Sequence, residues 1–276
     1  MCCRRVLAFP IPKEPKVVSV VFSNQKGGVG KSTLSVLFAQ WLVEKRGQRV
    51  ALIDLDSQGN SSKTLAHGAQ GQPASSLFED LDVALPIDRA GLTVFPASKK
   101  LSDVELSPPE QLLPTFRSQL HRLDTSFDWV VIDTPPTLGL RMTAALIACD
   151  EVICPIELED YSIDGLTDML KTIFGVQRRY NQRLHLAGVL ANRFNPHSTR
   201  QKAALHDLVA RYSEFVIPAK ISTRSAIPEA LAMRQSVWSV PKTSAREASA
   251  EVLKAFGILL TRMQVQPSNA NGPSST

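Results

Sequence analysis

The run Asn24-Gln25-Lys26-Gly27-Gly28-Val29-Gly30-Lys31-Ser32-Thr33 sets three glycines and two lysines directly before two hydroxyl side chains. Glycines let the backbone wrap closely around phosphate, with N–H groups and a helix N-terminus aimed at the anion. In such a loop Lys31 supplies a point charge to the β- and γ-phosphates, and the Ser32 hydroxyl is a ligand for Mg²⁺. A glycine-rich turn carrying a solvent lysine is the plainer alternative. The standard phosphate loop, G-x-x-x-x-G-K-[ST], calls for glycine where Gln25 stands, and Lys26 adds a cation inside the loop. Three carboxylates also stand at the ends of apolar runs: Asp54 and Asp56 after Val50, and Asp133 closing Trp129–Asp133. A strand-end aspartate of this kind can cap a neighbouring loop.

These side chains need elements to carry them. Val17–Ser23 is a short β-branched run. After the glycine loop, Leu34, Leu37, Phe38, Trp41 and Leu42 recur at helical spacing until Gly47 stops them. Further strands are expected at Val50–Leu55, Leu92–Pro96, Trp129–Asp133, Glu151–Ile156, Leu186–Ala191 and Phe215–Ile217. Helices are expected at Pro109–Leu123, Leu140–Ala148, Ile163–Tyr180, Thr199–Tyr212 and Arg246–Met263. Alternation of this kind predicts an α/β fold with a mostly parallel twisted sheet covered by helices on both faces. Nothing divides it, so residues 17–263 are expected to form one domain, between a short N-terminal extension (1–16) and a disordered polar tail (264–276).

With the extra lysine in place, the glycine loop resembles the first motif of the deviant phosphate-loop ATPases, specifically the partition ATPases of the ParA type, relatives of MinD. Leu52-Ile53-Asp54-Leu55-Asp56-Ser57-Gln58-Gly59-Asn60 is similar to the family's D-x-D-P-Q-G-N, with Ser57 in place of proline. Phe127-Asp128-Trp129-Val130-Val131-Ile132-Asp133-Thr134-Pro135-Pro136 resembles its Walker B strand. The likeness runs from about Val17 to Met263 and implies a P-loop ATPase that uses ATP and Mg²⁺. It further implies that Lys26 reaches the nucleotide of a second subunit, so that hydrolysis needs an ATP-bound homodimer. Asp56 matches the group that positions the attacking water, Asp54 orders the Mg²⁺ shell or the strand end, and Asp133 holds Mg²⁺ through water. Asn192 resembles an adenine-contacting asparagine, with a turn-forming role as the alternative, and Pro218 and the residues after it are expected near the base or ribose.

Charge bears on the branch of the family. Between Val176 and Arg246 twelve Lys/Arg face three acids, a balance of +9, while the rest of the chain stands at −4. So lopsided a segment fits a polyanion, and the resemblance implies DNA bound without sequence preference. By position Arg224 resembles the DNA-contacting arginine, with Arg200, Lys202 and Lys220 as companions; solvated surface charge is the competing reading of each. The polar C-terminal run has no basic amphipathic helix of the MinD kind, so no membrane attachment is expected. No cysteine closely follows Asp133, which speaks against an iron–sulfur relative; Cys2, Cys3, Cys149 and Cys154 read as reduced thiols. No apolar run nears the roughly 18 residues of a membrane span.

The resemblance therefore implies a weakly active, cytoplasmic and nucleoid-associated hydrolase that partitions a plasmid or chromosome, stimulated by a ParB-like centromere-binding protein. A relative that positions a protein assembly would carry the same motifs. A small-molecule ligase or kinase would leave the basic segment unexplained.

Overall fold

The computed structural model describes residues 17–79, 91–159 and 162–264. The N-terminal extension, Cys2, Cys3 and all of the polar tail but Gln264 lie outside them. The strands are β1 (Val18–Phe22), β2 (Val50–Asp54), β3 (Ala69–Gln70), β4 (Leu92–Phe95), β5 (Trp129–Asp133), β6 (Glu151–Glu157), β7 (His185–Phe194) and β8 (Val216–Ser222). They form one sheet in the order β3-β4-β2-β5-β1-β6-β7-β8, and every pairing is parallel. Between them run α1 (Lys31–Arg46), α2 (Asn60–Thr64), α3 (Leu101–Val104), α4 (Pro109–Arg122), α5 (Leu140–Ala148), α6 (Ser162–Arg179), α7 (Thr199–Tyr212), α8 (Ala226–Ala232) and α9 (Thr243–Gln264).

The central strands are apolar because both faces are covered, and alternate residues feed two cores. Val20, Phe22, Leu52 and Val131 pack with residues of α1 and α9. Val21, Ile53 and Ile132 pack with residues of α4, α5, α6 and α7. Helix α1 is buried on most sides, with α9, which packs on β7 and β8, meeting it from the flank: Phe38 meets Phe256 edge-on with ring centres 5.0 Å apart. Gly47, at φ 64°, ends α1, and its N–H returns to the carbonyls of Leu42 and Val43. So packed, α1 holds the glycine loop rigidly above β1.

The α/β expectation is met, and the differences are local. The two-residue edge strand β3 and the short helices α2, α3 and α8 have too few residues to show a period. Strands β7 and β8 run on past their expected ends at Ala191 and Ile217, to Phe194 and Ser222. Those extensions move two of the expected nucleotide contacts.

Candidate functional site

The glycine loop crosses from β1 to α1 at the carboxyl end of the sheet, where ligands of open parallel sheets bind. It is held from three sides. Asn24 donates to the Pro155 carbonyl at 2.7 Å and accepts from the Lys26 N–H at 2.9 Å. The Lys31 ammonium donates to the Lys26 carbonyl at 3.1 Å, folding the loop over it. From β7, Asn192 donates to the Val29 carbonyl at 2.8 Å and Arg193 to the Gly28 carbonyl at 2.8 Å. Gly30 sits at φ +91°, and a Cβ there would lie 2.3 Å from the Asn192 amide nitrogen. Glycine is required at this position twice over. Lys26, Gly27 and Gly28 are exposed, Val29 and Lys31 are buried, and Ser32 and Thr33 open α1 half-buried.

The three carboxylates converge beside the loop because their strands are neighbours. Asp54 and Asp133 are paired in register across β2 and β5, and Asp133 is level with Phe22 on β1. Asp54 is spent on structure: it accepts from the Asp56 N–H and from both the N–H and the hydroxyl of Ser62. Asp56, almost buried, accepts from the Gln58 N–H at 3.0 Å. Ser61 donates to one Asp133 oxygen at 2.7 Å, while the other oxygen is buried without a partner. Burial foremost, then the charge of Asp54, pushes the Asp133 carboxyl up to about 7 against the hydrogen bonds of Ser61 and Ser32. Burial pulls the Lys31 ammonium down while Asp133 and Asp56 support its charge.

A divalent cation fits here. The bare Asp133 oxygen and the neighbouring Ser32 hydroxyl are oxygen donors of the hard kind that Mg²⁺ prefers. Among the described residues no cluster of three or more His, Cys, Asp or Glu could hold a metal alone. Nucleotide oxygens and water would have to complete its shell, as is usual for Mg²⁺. Cys149 and Cys154 are free and buried, and burial pushes the Cys154 thiol up to about 12, so neither is a reactive group.

Two expected contacts are placed differently. Asn192 is not a strand-end side chain open to a base: β7 continues through it, and its amide is used to hold Val29. Because β8 extends to Ser222, Pro218 is mid-strand, where it lines a groove with Leu205, Val209 and Lys254. Of the residues after it, Thr223 leaves β8 and donates to the Arg193 carbonyl at 2.8 Å. Arg193, at φ 53°, was not singled out in the sequence; nothing in an Asn-Arg pair signals a left-handed backbone.

The four basic residues occupy α7, β8 and the turn after it. Lys202 is exposed on α7. Arg200 lies 3.9 Å from Glu159. The Lys220 ammonium sits 4.2 Å from the Phe194 ring centre. Arg224 is bridged by Glu247 at 2.6 Å and Glu251 at 2.9 Å, an ion-pair network that its chain position does not reveal.

Comparison with known proteins fits this geometry to a family. A family described as "AAA domain" matches residues 16–186. Protein IncC of Escherichia coli is 38% identical over 257 residues, covering 90% of this chain and 70% of that protein. The chain belongs to the ParA-type partition ATPases. Chromosome partitioning protein ParA of Caulobacter vibrioides is 31% identical over 222 residues, covering 76% of this chain and 82% of its own length. Among solved structures, cobyrinic acid a,c-diamide synthase from Mycobacterium smegmatis with bound ADP and magnesium is similar at TM-score 0.71 and 26% identity. It covers 94% of this chain and 99% of that one. Both the ParA-type recognition and the P-loop ATPase fold expected from the motifs hold. Among the described residues no helix is long and apolar enough to cross a membrane.

Proposed function

We propose that this ParA-type ATPase binds Mg²⁺ and ATP at the glycine loop, pairs with a second copy and hydrolyses ATP slowly as that dimer. In the dimer it holds DNA through phosphate contacts, partitions a plasmid or chromosome and is stimulated by a ParB-like partner. The reading carries a cytoplasmic, nucleoid-associated location and one ATPase unit over residues 17–263. The observation that supports it best is the meeting of Lys31, Ser32, Asp56 and Asp133 at the ends of β1, β2 and β5, with Lys26 exposed beside them.

Each group has a task in phosphoryl transfer. Lys31 and the loop N–H groups hold the β- and γ-phosphates. Mg²⁺, when bound, neutralises phosphate oxygens, and Ser32 and Asp133 are the side chains that would hold it. Asp56 accepts a hydrogen bond from the attacking water and orients it. Lys26 is exposed, and only its backbone is used in the loop's hydrogen bonds, as a charge offered to the partner's nucleotide requires. Asn192 then acts by fixing the loop, with Pro218 left out.

DNA binding draws support from Lys202 and Lys220, which meet no carboxylate closely among the described residues, and from Arg200. Arg224 would have to leave Glu247 and Glu251 to meet a phosphate. The synthase reading of the similar solved structure leaves the +9 segment without a purpose.

The test is retention on two unrelated DNA duplexes with ATP and Mg²⁺, beside Lys31→Ala. Wild type should bind both equally and only with ATP, and Lys31→Ala should bind neither nucleotide nor DNA. ATP-independent or absent DNA binding by the wild type would remove the partition reading, and normal ATP affinity in Lys31→Ala would remove the loop assignment.

A further inference from the structure

Behind the D-x-D loop lies an ion pair that the partition motifs do not include. Arg141, in the first turn of α5, is almost fully buried, and its Nε donates to Glu105 at 2.8 Å. Its Nη1 donates to the Leu55 carbonyl at 2.9 Å. Leu55 is the residue between Asp54 and Asp56, and its own N–H is tied to the Asp133 carbonyl at 2.9 Å. The residue before Asp56 is thus anchored through both its N–H and its carbonyl, one on β5 and one on Arg141.

Glu105 makes Arg141 stiff. Its second oxygen accepts from the Leu140 N–H at 2.6 Å, so one carboxylate caps the start of α5 and clamps the guanidinium. Gly139 makes this possible: a Cβ there would come within 2.3 Å of that oxygen. Burial pulls the Glu105 carboxyl upward, but its bonds from Arg141 and Leu140 outweigh burial and hold it below the ordinary range. A buried ion pair contributes little net stability compared with apolar groups of the same shape. What this one supplies is geometry, delivered to a backbone carbonyl next to Asp56.

We propose that Arg141, clamped by Glu105, is a positioning residue for ATP hydrolysis: by fixing the Leu55 carbonyl it holds the Asp56 carboxylate on the attacking water. The proposal rests on Asp56 having that role. Arg141 meets neither Lys31 nor the glycine loop, so it acts on turnover and leaves nucleotide binding alone.

The test compares full-length wild type, Asp56→Ala, Arg141→Lys and the paired change Glu105→Gln with Arg141→Met, which leaves no unpaired charge behind. Measured are kcat and KM for ATP with Mg²⁺, fluorescent-nucleotide affinity and melting temperature. In the paired variant kcat should fall roughly tenfold to a hundredfold, the cost of a misplaced reacting group, while nucleotide affinity stays within about threefold. Arg141→Lys, which keeps the charge and a donor, should retain more turnover than the paired variant. If Asp56→Ala is inactive while the paired variant turns over normally, the positioning role is overturned and the Asp56 reading stands. If Asp56→Ala hydrolyses ATP normally, the Asp56 reading fails, and the proposal with it. A joint fall in kcat, affinity and melting temperature would mark the pair as structural and overturn the proposal.

Discussion

Replacing Gly30 by alanine sets two separable costs against each other. The residue sits at φ +91°, where a side chain costs about 1–2 kcal/mol. The new Cβ would also lie 2.3 Å from the Asn192 amide nitrogen, which donates to the Val29 carbonyl at 2.8 Å. Pushing that buried amide aside strands a donor and an acceptor, worth about 1–3 kcal/mol. Gly30→Ala should therefore cost about 2–5 kcal/mol in all. Asn192→Ala alone should cost the hydrogen-bond part, about 1–3 kcal/mol. With the amide already gone nothing obstructs the Cβ, so Gly30→Ala in the Asn192→Ala background should cost only the backbone part. Urea denaturation of the four proteins without nucleotide completes the cycle, and the two changes should be sub-additive by about 1–3 kcal/mol. Additivity to within about 0.5 kcal/mol would refute the idea that Gly30 exists to admit Asn192.

Lys26→Ala should bind ATP nearly as well as wild type, since the loop uses only the Lys26 backbone, yet should not hydrolyse it. Mixed in equal amounts, inactive Lys26→Ala and Asp56→Ala should recover roughly a quarter of wild-type turnover, because each mixed dimer regains one complete site; no recovery would place Lys26 in its own subunit's site. For DNA, Lys202→Glu with Lys220→Glu should weaken binding to any sequence. In that variant the slope of log K against log salt should flatten by about 0.9 for each phosphate no longer neutralised, whereas Arg224→Ala should change it less. The reverse ranking would mean that Arg224 leaves its two glutamates in the DNA-bound dimer.

What the sequence made legible were groups whose chemistry depends on chain neighbours. Gly27 to Ser32 act through their own backbone and the helix that follows, and Asp54, Asp56 and Asp133 end runs too apolar to be anything but buried strands. Strand ends were harder. Asn192 and Pro218 look like stops, since one is polar and the other cannot donate to a ladder. Yet Asn192 is buried because its amide has the Val29 carbonyl to bond. Pro218 is tolerated because β8 is an edge strand, with β7 on one side alone. Arg141 and Glu105 were invisible for a different reason. They lie 36 residues apart, one opening α5 and the other closing α3, and no period or motif joins them.

Sheet order explains why the chemistry collects where it does. Chain order runs β1, β2, β5, but β5 inserts between the other two, so Asp133 stands beside both the strand feeding the glycine loop and the strand carrying the D-x-D pair. Lys31 and Asp133 are thereby buried together, and the Asp133 charge offsets part of the desolvation of Lys31. The Lys31 ammonium has three hydrogens and spends one on the Lys26 carbonyl. The remaining two can turn to phosphate without releasing the loop, so ATP can enter while Lys26 stays exposed. In the proposed dimer, nucleotide binding within one subunit and the charge offered to the next would both depend on this one buried side chain. That is why changing Lys31 should abolish both, whereas changing Lys26 should abolish only the second.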